Sequence, residues 1–274
     1  MQPDRRIDYH IHTSASDGTW DSAVLLEKIR EAGIQVFAVT DHDTVEQVPV
    51  MGRLAAGFPD LTFIPAVEIS TNRRGREYHI TVYHIDPADA GLETILRKNR
   101  AIKIEYAGRV IESLAALGKD VSTDEYRDYK ADPGRGAWKL YNYLVDRGLV
   151  AEFEDYRRLQ AESGITLVFP DPEEVLATLK RVDGITVLAH PAVYAGNGYL
   201  PVSGLDEWRR MGIRGIECYS HYNASAGQVE YYADYCRRHD LYISGGSDCH
   251  GEFAGRKLGY PEIFESMVTL PINP

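Results

Sequence analysis

Several short segments of this chain place imidazoles and carboxylates within one or two residues of each other, a spacing that suits metal coordination. In Asp8-Tyr9-His10-Ile11-His12 the polar residues alternate with Tyr and Ile. Side chains of an extended strand alternate between faces, so Asp8, His10 and His12 point the same way, an arrangement that a purely structural buried strand avoids. Two imidazoles at i and i+2 at a strand end can share one ion, and Asp8 can orient one of them as a hydrogen-bond partner. Alone, His-x-His is a weak signal, because a single strand-end histidine is more often a hydrogen-bonded structural residue. Here the pattern recurs, in Thr40-Asp41-His42-Asp43, Tyr78-His79-Ile80, Leu188-Ala189-His190-Pro191 and Ser247-Asp248-Cys249-His250, each where a β-like run gives out into a loop. Carboxylates follow the same rule: Glu68 closes the run Ile64–Val67, Glu217 ends Ile213–Ile216, and Asp17 lies in the loop after the first strand. Repetition at one topological address outweighs the structural explanation each residue would have alone. His84, on the opposite strand face from His79, and His239, in an Arg-Arg-His-Asp run, read as structural or surface residues.

Histidine and carboxylate ligands without clustered thiolates favour Zn, Mn or Fe over a thiolate-rich structural zinc site. There are more ligands than one ion needs. A carboxylate such as Glu68 can bridge two ions, and closely spaced metals suit attack on phosphorus by holding the nucleophilic and leaving oxygens. A coordinated water falls from a pKa of about 15.7 to about 7, giving hydroxide at neutral pH.

The elements that must position these residues follow a βα rhythm. Strand-like runs at Arg6–His12, Gln35–Thr40 and Leu61–Ser70 alternate with helical patterns at Asp21–Ala32 and Glu46–Ala56, and Tyr78–Ile85 follows as a further strand. From Leu92 to Leu117, and again over Trp138–Arg147, the pattern is helical, interrupted by Asp132-Pro133-Gly134-Arg135-Gly136. The rhythm resumes with a helix at Glu173–Arg181, strands at Ile185–Ala189 and Ile213–Tyr219, a helix at Ala226–Arg238 and a strand at Leu241–Gly245. Such alternation predicts an α/β fold around a mostly parallel sheet, barrel-like, with chemistry at the C-terminal strand ends. The expected organisation is a barrel domain over residues 1–98 and 166–274, with a helical insertion over 99–165 that caps the substrate site. Tyr231, Tyr232 and Tyr235 read as a packed helix face.

Bulk properties set bounds. The 274 residues are 44% hydrophobic and 26% charged, enough to bury a large core. The polar N-terminus lacks a secretory pattern, and no stretch approaches the roughly 18 apolar residues of a membrane span, so a cytoplasmic protein is expected. Cys218, Cys236 and Cys249 form no C-x-x-C pair and read as small buried hydrophobes in a reducing compartment. A net charge of −11 argues against an extended grip on nucleic acid, although a local basic pocket is compatible with it.

Taken together, Asp8-x-His10-x-His12-Thr13, Ser16-Asp17-Gly18, Thr40-Asp41-His42-Asp43, Val67-Glu68-Ile69, Ala189-His190-Pro191 and Gly246-Ser247-Asp248-x-His250-Gly251 resemble the PHP superfamily, named for its polymerase and histidinol phosphatase members. The motifs span residues 8 to 251 in the family's order. The resemblance implies a distorted (β/α)7 barrel with a three-metal phosphoesterase site. It places His10, His12, Glu68 and Asp248 on one ion, with Glu68 bridging to a second held by His79 and His190. It places Asp17, His42 and His250 on a third. Some branches carry His where this chain has Asp17, a difference that bears on which ion is preferred.

A transferring phosphoryl group also needs cationic or N–H donors. Arg135 and Lys139 in the insertion are the first candidates, and Arg256 is a further one. The alternative for Arg135 is a solvated loop cation, and for Lys139 a surface helix residue. Nucleoside-phosphate-acting relatives often carry Arg-Pro-His in the insertion, from which this chain departs after Arg135. Trp138 could stack on a base or plug the insertion's core. His221, four residues beyond Glu217, is a candidate phosphate donor or general acid. The expected activity is hydrolysis of phosphomonoesters of small metabolites or nucleotides by a metal-bound hydroxide, with His10, His12 and Asp248 at its centre. The alternatives are a 3′-phosphate or short-oligonucleotide hydrolase, and a non-catalytic metal-binding module. Asp43 and Glu217 sit beside predicted ligands, where each could bind an ion or support a residue that does.

Overall fold

The computed structural model describes residues 4–132, 135–136, 138–223, 225–253 and 255–273. Pro133, Gly134 and Ala137, in the segment singled out around Arg135, lie outside the described residues.

Eight strands form one sheet with flanking helices. In chain order they are β1 (Arg6–Asp8), β2 (Val36–Val39), β3 (Thr62–Arg73), β4 (Arg76–Tyr83), β5 (Ile185–Leu188), β6 (Gly215–Ser220), β7 (Tyr242–Gly246) and β8 (Ile263–Phe264), in the spatial order β7-β6-β5-β4-β3-β2-β1-β8. The first seven curl until β7 meets β1: Tyr9 N–H donates to Gly245 O at 3.2 Å, Asp248 N–H to His10 O at 2.8 Å and His12 N–H to Cys249 O at 2.9 Å. β8 runs antiparallel to β1, and Thr269 and Leu270 just beyond it donate to Ile243 O on β7, filling the gap where β1 and β7 diverge. The result is the distorted barrel expected from the sequence. Its main distortion is β4, antiparallel to both β3 and β5. β3 turns into β4 through Arg74 and Gly75, both at positive φ (53° and 76°), the backbone a two-residue hairpin needs and the reason no helix intervenes.

The intervening helices are α1 (Ser22–Glu31), α2 (Val48–Ala55), α3 (Ala90–Ala116), α4 (Thr123–Asp128), α5 (Lys139–Asp146), α6 (Phe153–Ser163), α7 (Pro172–Leu179), α8 (Val202–Met211) and α9 (Ala226–Arg238). α4, α6, α8 and the two-residue β8 are elements the sequence reading did not include. Start signals are conventional: Asp21 caps α1 by accepting from Ala23 and Val24 N–H, and Ser225 caps α9 by accepting from Gln228 N–H. Tyr232 and Tyr235 are fully buried on α9, with hydroxyls bonded to Leu200 N–H and Asp206, so the tyrosine stripe is a packed face. His84 holds Pro271 O at 2.7 Å.

Three hydrophobic clusters pack around the strands, while a fourth, built from Ala107, Val110, Ile111, Leu114, Leu140, Tyr143, Leu144, Val150, Tyr156 and Leu159, belongs to the middle segment. α3 joins the two regions: Leu92, Ile95 and Leu96 pack on the barrel, and its second half nucleates the fourth cluster. No helix among the described residues is long and apolar enough to cross a membrane.

Candidate metal centre

The side chains named above meet at one end of the barrel. His10 and His12 follow β1 on an extended segment held between β2 and β7, and both are fully buried. Asp41 accepts from Thr13 N–H (2.7 Å), Thr13 Oγ1 (2.6 Å) and Ser16 Oγ (2.6 Å), which folds the loop after His12 back and brings Asp17 over the centre. Glu68 projects from the middle of β3, bridged to His42 on the neighbouring segment. His79 lies on β4 opposite Ser70. His190 and Asp248 follow β5 and β7 directly, at φ 29° and 53°. Left-handed backbone at non-glycine residues costs of the order of 1–3 kcal/mol each and persists where the surroundings over-determine it.

Four ligand atoms form a compact group. His10 Nε2 lies 3.2 Å from His12 Nε2, 3.2 Å from Glu68 Oε2 and 3.4 Å from Asp248 Oδ1; His12 Nε2 lies 3.3 Å from Glu68 Oε2 and 3.1 Å from Asp248 Oδ1. Ligands about 2.0–2.2 Å from a tetrahedral ion stand about 3.3–3.6 Å apart, so the group has nearly the dimensions of a coordination shell. Glu68 turns its other oxygen, Oε1, to His190 Nε2 (3.0 Å) and His79 Nδ1 (3.2 Å), which are 3.3 Å from each other. Asp17 Oδ2 faces His250 Nε2 at 3.2 Å and His42 Nε2 at 3.7 Å, and His42 Nδ1 is 3.3 Å from Glu68 Oε2.

Hydrogen bonding on the outer side of the rings fits the same use. His10 Nδ1 pairs with Glu217 Oε2 at 2.6 Å, His79 Nε2 with Glu77 Oε1 at 2.9 Å and His250 Nδ1 with Asp248 O at 2.8 Å. A proton held on the outer nitrogen leaves the inner one with a lone pair, the arrangement of metal-ligating histidines. His12 Nδ1, His42 Nδ1 and Glu68 Oε2 are buried without a hydrogen-bond partner among the described residues, a costly state for atoms that no cation satisfies. The donor set therefore fits divalent cations. Electrostatics are uneven across it. Burial opposes charge on His10 and His12, yet Glu68, Glu217 and Asp248 raise His10, and Asp248 and Glu68 hold His12 up at about 9. Burial dominates at His42, lowered to about 3.

Other expectations meet different outcomes. Asp8 does not orient an imidazole: its carboxylate accepts backbone N–H groups of His10 (3.3 Å), Ser247 (2.9 Å) and Gly259 (2.9 Å), so it fixes three segments rather than a ring. Glu217 stands behind His10. Asp43 faces away from the ligand group and binds Ser70, Asn99 and Lys103. Arg135 is paired with Asp146 (2.8 Å) and Tyr129, and Lys139 donates to Arg127 O (2.8 Å) over the ring of Tyr126. His221 is exposed, with its ring against Tyr222 and Tyr260. Arg256 reaches Asp248 Oδ2 at 2.5 Å.

A chamber of about 600 Å³ opens beside Asp17, His42 and His79. α3 lines it with Arg100, Lys103 and Ile104, and the middle segment lines it with Trp138, Tyr141, Phe153 and Tyr156. Trp138 stacks on Phe153 with centroids 5.6 Å apart and meets Phe253 of the barrel edge-on at 5.2 Å, so it is part of the wall. The sequence reading missed Tyr222, Asp41, Glu77 and Lys103. Asp41, Glu77 and Tyr222 each stand within two residues of a named histidine, which is a usable signal; Lys103 has none.

No known family profile matches the chain. It is 28% identical over 265 residues to a 3′,5′-nucleoside bisphosphate phosphatase of Chromobacterium violaceum, covering 93% of this chain and 91% of that protein. It is 26% identical over 259 residues to a 5′-3′ exoribonuclease of Haemophilus influenzae, covering 93% of each. In fold it matches a solved structure from Bifidobacterium adolescentis named for metal-dependent phosphoesterase activity, with a TM-score of 0.81 at 24% identity over 97% of this chain and 94% of that one. Motif order, barrel and ligand geometry agree with these likenesses: the chain is similar in sequence to enzymes that act on phosphate esters, shares the fold of a solved metal-dependent phosphoesterase, and gathers side chains that could hold metal ions.

Proposed function

We propose that the chain hydrolyses phosphomonoesters of small metabolites or nucleotides at three divalent ions. His10, His12, Glu68 and Asp248 would hold the first ion, Glu68 with His79 and His190 the second, and Asp17, His42 and His250 the third. The observation that carries this reading is the convergence of four ligand atoms from His10, His12, Glu68 and Asp248 at separations of 3.1–3.4 Å. Divalent ions in such a site acidify water and neutralise charge on a phosphoryl group.

The chain's own residues do the remaining work. Glu217, Glu77 and the Asp248 carbonyl keep the imidazoles turned inward. The chamber receives the rest of the substrate: its aromatic wall offers ring faces to a base, and Arg100, Lys103, Lys139 and Arg157 supply positive charge. Residues 99–165 act as the cap that shapes it. Arg135 would exchange Asp146 for a phosphate, and His221 is a candidate for protonating the leaving alkoxide. The bisphosphate phosphatase activity of one relative supports the nucleotide side of this reading. Three unpaired cysteines suit a reducing compartment such as the cytoplasm. A second reading, hydrolysis of short oligonucleotides, draws on the exoribonuclease relative; the net charge of −11 favours the small substrate.

The test is phosphate release from phosphomonoesters, nucleoside monophosphates, 3′,5′-bisphosphates and short RNA, each with Mn, Zn and Fe beside a His10→Ala control. Release from the small esters, lost in the control, is expected. Release from RNA alone would favour the second reading. Silence from metal-loaded protein would leave a non-catalytic metal-binding module.

A further inference from the structure

Asp248 gives its two carboxylate oxygens to different neighbours. Oδ1 lies 3.4 Å from His10 Nε2 and 3.1 Å from His12 Nε2, within the ligand group. Oδ2 is turned away and accepts from Tyr222 Oη at 3.0 Å and Arg256 Nη1 at 2.5 Å. The two donors come from different loops, Tyr222 from the segment after β6 and Arg256 from the segment after β7. They also brace each other: the Arg256 guanidinium lies 5.3 Å from the centre of the Tyr222 ring, and that ring meets His190 edge-on at 5.6 Å. Arg256 Nη1 further reaches Asp248 O at 3.2 Å, and residue 248 has a φ of 53°, a left-handed conformation uncommon outside glycine that aspartate adopts more readily than most residues.

The geometry points to Tyr222 and Arg256 as a clamp that occupies Oδ2 and leaves Oδ1 as the single atom Asp248 offers to the ion shared with His10, His12 and Glu68. This rests on the metal-centre reading above. It makes both residues positioning residues, and it gives Arg256 a task other than binding substrate phosphate. A carboxylate free to rotate would present either oxygen, or both, and lose its fixed place in the shell. Partners that orient metal ligands are typically worth about 10–100-fold in metal affinity. Arg256 is also a cation beside a cation site, and repulsion alone would make its removal tighten binding. The clamp makes the opposite prediction, because Arg256 secures both the carboxylate and the backbone carbonyl of Asp248.

The experiment is competition for Zn²⁺ between the full chain and a chromophoric chelator at neutral pH, with the visible spectrum of the Co²⁺-loaded protein as a second readout. Tyr222→Phe keeps the ring packing and removes only the hydroxyl; it is expected to weaken the tightest Zn²⁺ about tenfold and to shift the Co²⁺ bands, with the melting temperature of the chelator-treated protein unchanged. Arg256→Ala is expected to weaken it at least as much, with Arg256→Lys intermediate. Parental affinity and spectrum in both Tyr222→Phe and Arg256→Ala would overturn the clamp while leaving the metal centre standing, as would tighter binding by Arg256→Ala. A parent chain that binds no Zn²⁺ would overturn the metal-centre reading and the clamp with it.

Discussion

His10 Nδ1 stands 2.6 Å from Glu217 Oε2, and neither side chain is accessible to solvent. A buried carboxylate at that distance keeps the proton on Nδ1 and makes Nε2 the coordinating atom. Glu217→Gln preserves the shape and removes the charge. The expected result is metal affinity lower by about 10–100-fold, read as metal retained after gel filtration, with phosphatase activity falling in parallel. Parental metal content in the variant would show that Glu217 does not orient His10.

Gly246 lies against the segment that carries His10. A Cβ at position 246 would stand 2.4 Å from both the backbone nitrogen and the Cβ of His10, closer than real side chains approach. Gly246→Ala must push β7 from β1 at the point where the barrel closes. A loss of about 1–3 kcal/mol is expected, seen as a thermal midpoint several degrees lower, together with weaker metal binding. Gly33→Ala is the control: no atom lies within 4 Å of its Cβ, although its φ of 68° carries a backbone cost, so it should lose stability without losing metal.

Asp43 ties the long helix to the barrel. Its carboxylate accepts from Ser70 N–H (3.0 Å), Ser70 Oγ (2.9 Å), Asn99 Nδ2 (2.7 Å) and Lys103 Nζ (2.7 Å). Asp43→Ala removes an acceptor from all four donors, of which only Asn99 Nδ2 keeps another, Ser70 O at 2.8 Å, and a loss of about 1–3 kcal/mol is expected in denaturant titration. Paired with Lys103→Met, the double-mutant cycle should return a coupling of about 0.5–3 kcal/mol; additive losses would mean that the ion pair contributes nothing of its own.

In the middle segment, Arg135 and then Tyr129 bond Asp146 and hold its carboxyl down at about 2. A folded value below the unfolded one means that the contribution to stability is complete above the unfolded pKa of about 3.9 and is lost as pH falls through about 2. The pair is a third or more exposed, so solvent screens it and the contribution is small. Carbon-detected NMR titration should find the Asp146 midpoint near 2 and, in Arg135→Ala, higher but still below the free value, because the Tyr129 hydroxyl continues to donate to the carboxylate. Inorganic phosphate that recruits Arg135 should raise the midpoint in the parent; no movement at saturating phosphate would count against Arg135 as a phosphate ligand.

Much of this protein is written locally. The alternation of Asp8, His10 and His12 along an extended segment follows from the two-residue period of a strand, and His42, His190 and Asp248 lie just beyond strand ends as their local runs indicated, whereas Glu68 and His79, expected at strand ends, lie inside β3 and β4 because these two strands run on past them as a hairpin. Strand and helix order followed from hydrophobic periodicity over runs such as Ala226–Arg238, where the helix has the bounds its pattern indicated. Tertiary structure decided what depends on distance through space. Asp8 turned to backbone groups from residues 247 and 259, because barrel closure set three N–H groups around it that no local pattern reveals. Tyr222 met Asp248 across 26 positions of sequence, and Lys103 met Asp43 across 60, through the register of neighbouring strands and the path of a 27-residue helix. A residue's type and period are local properties, whereas the partner of a buried polar atom is set by how the elements pack.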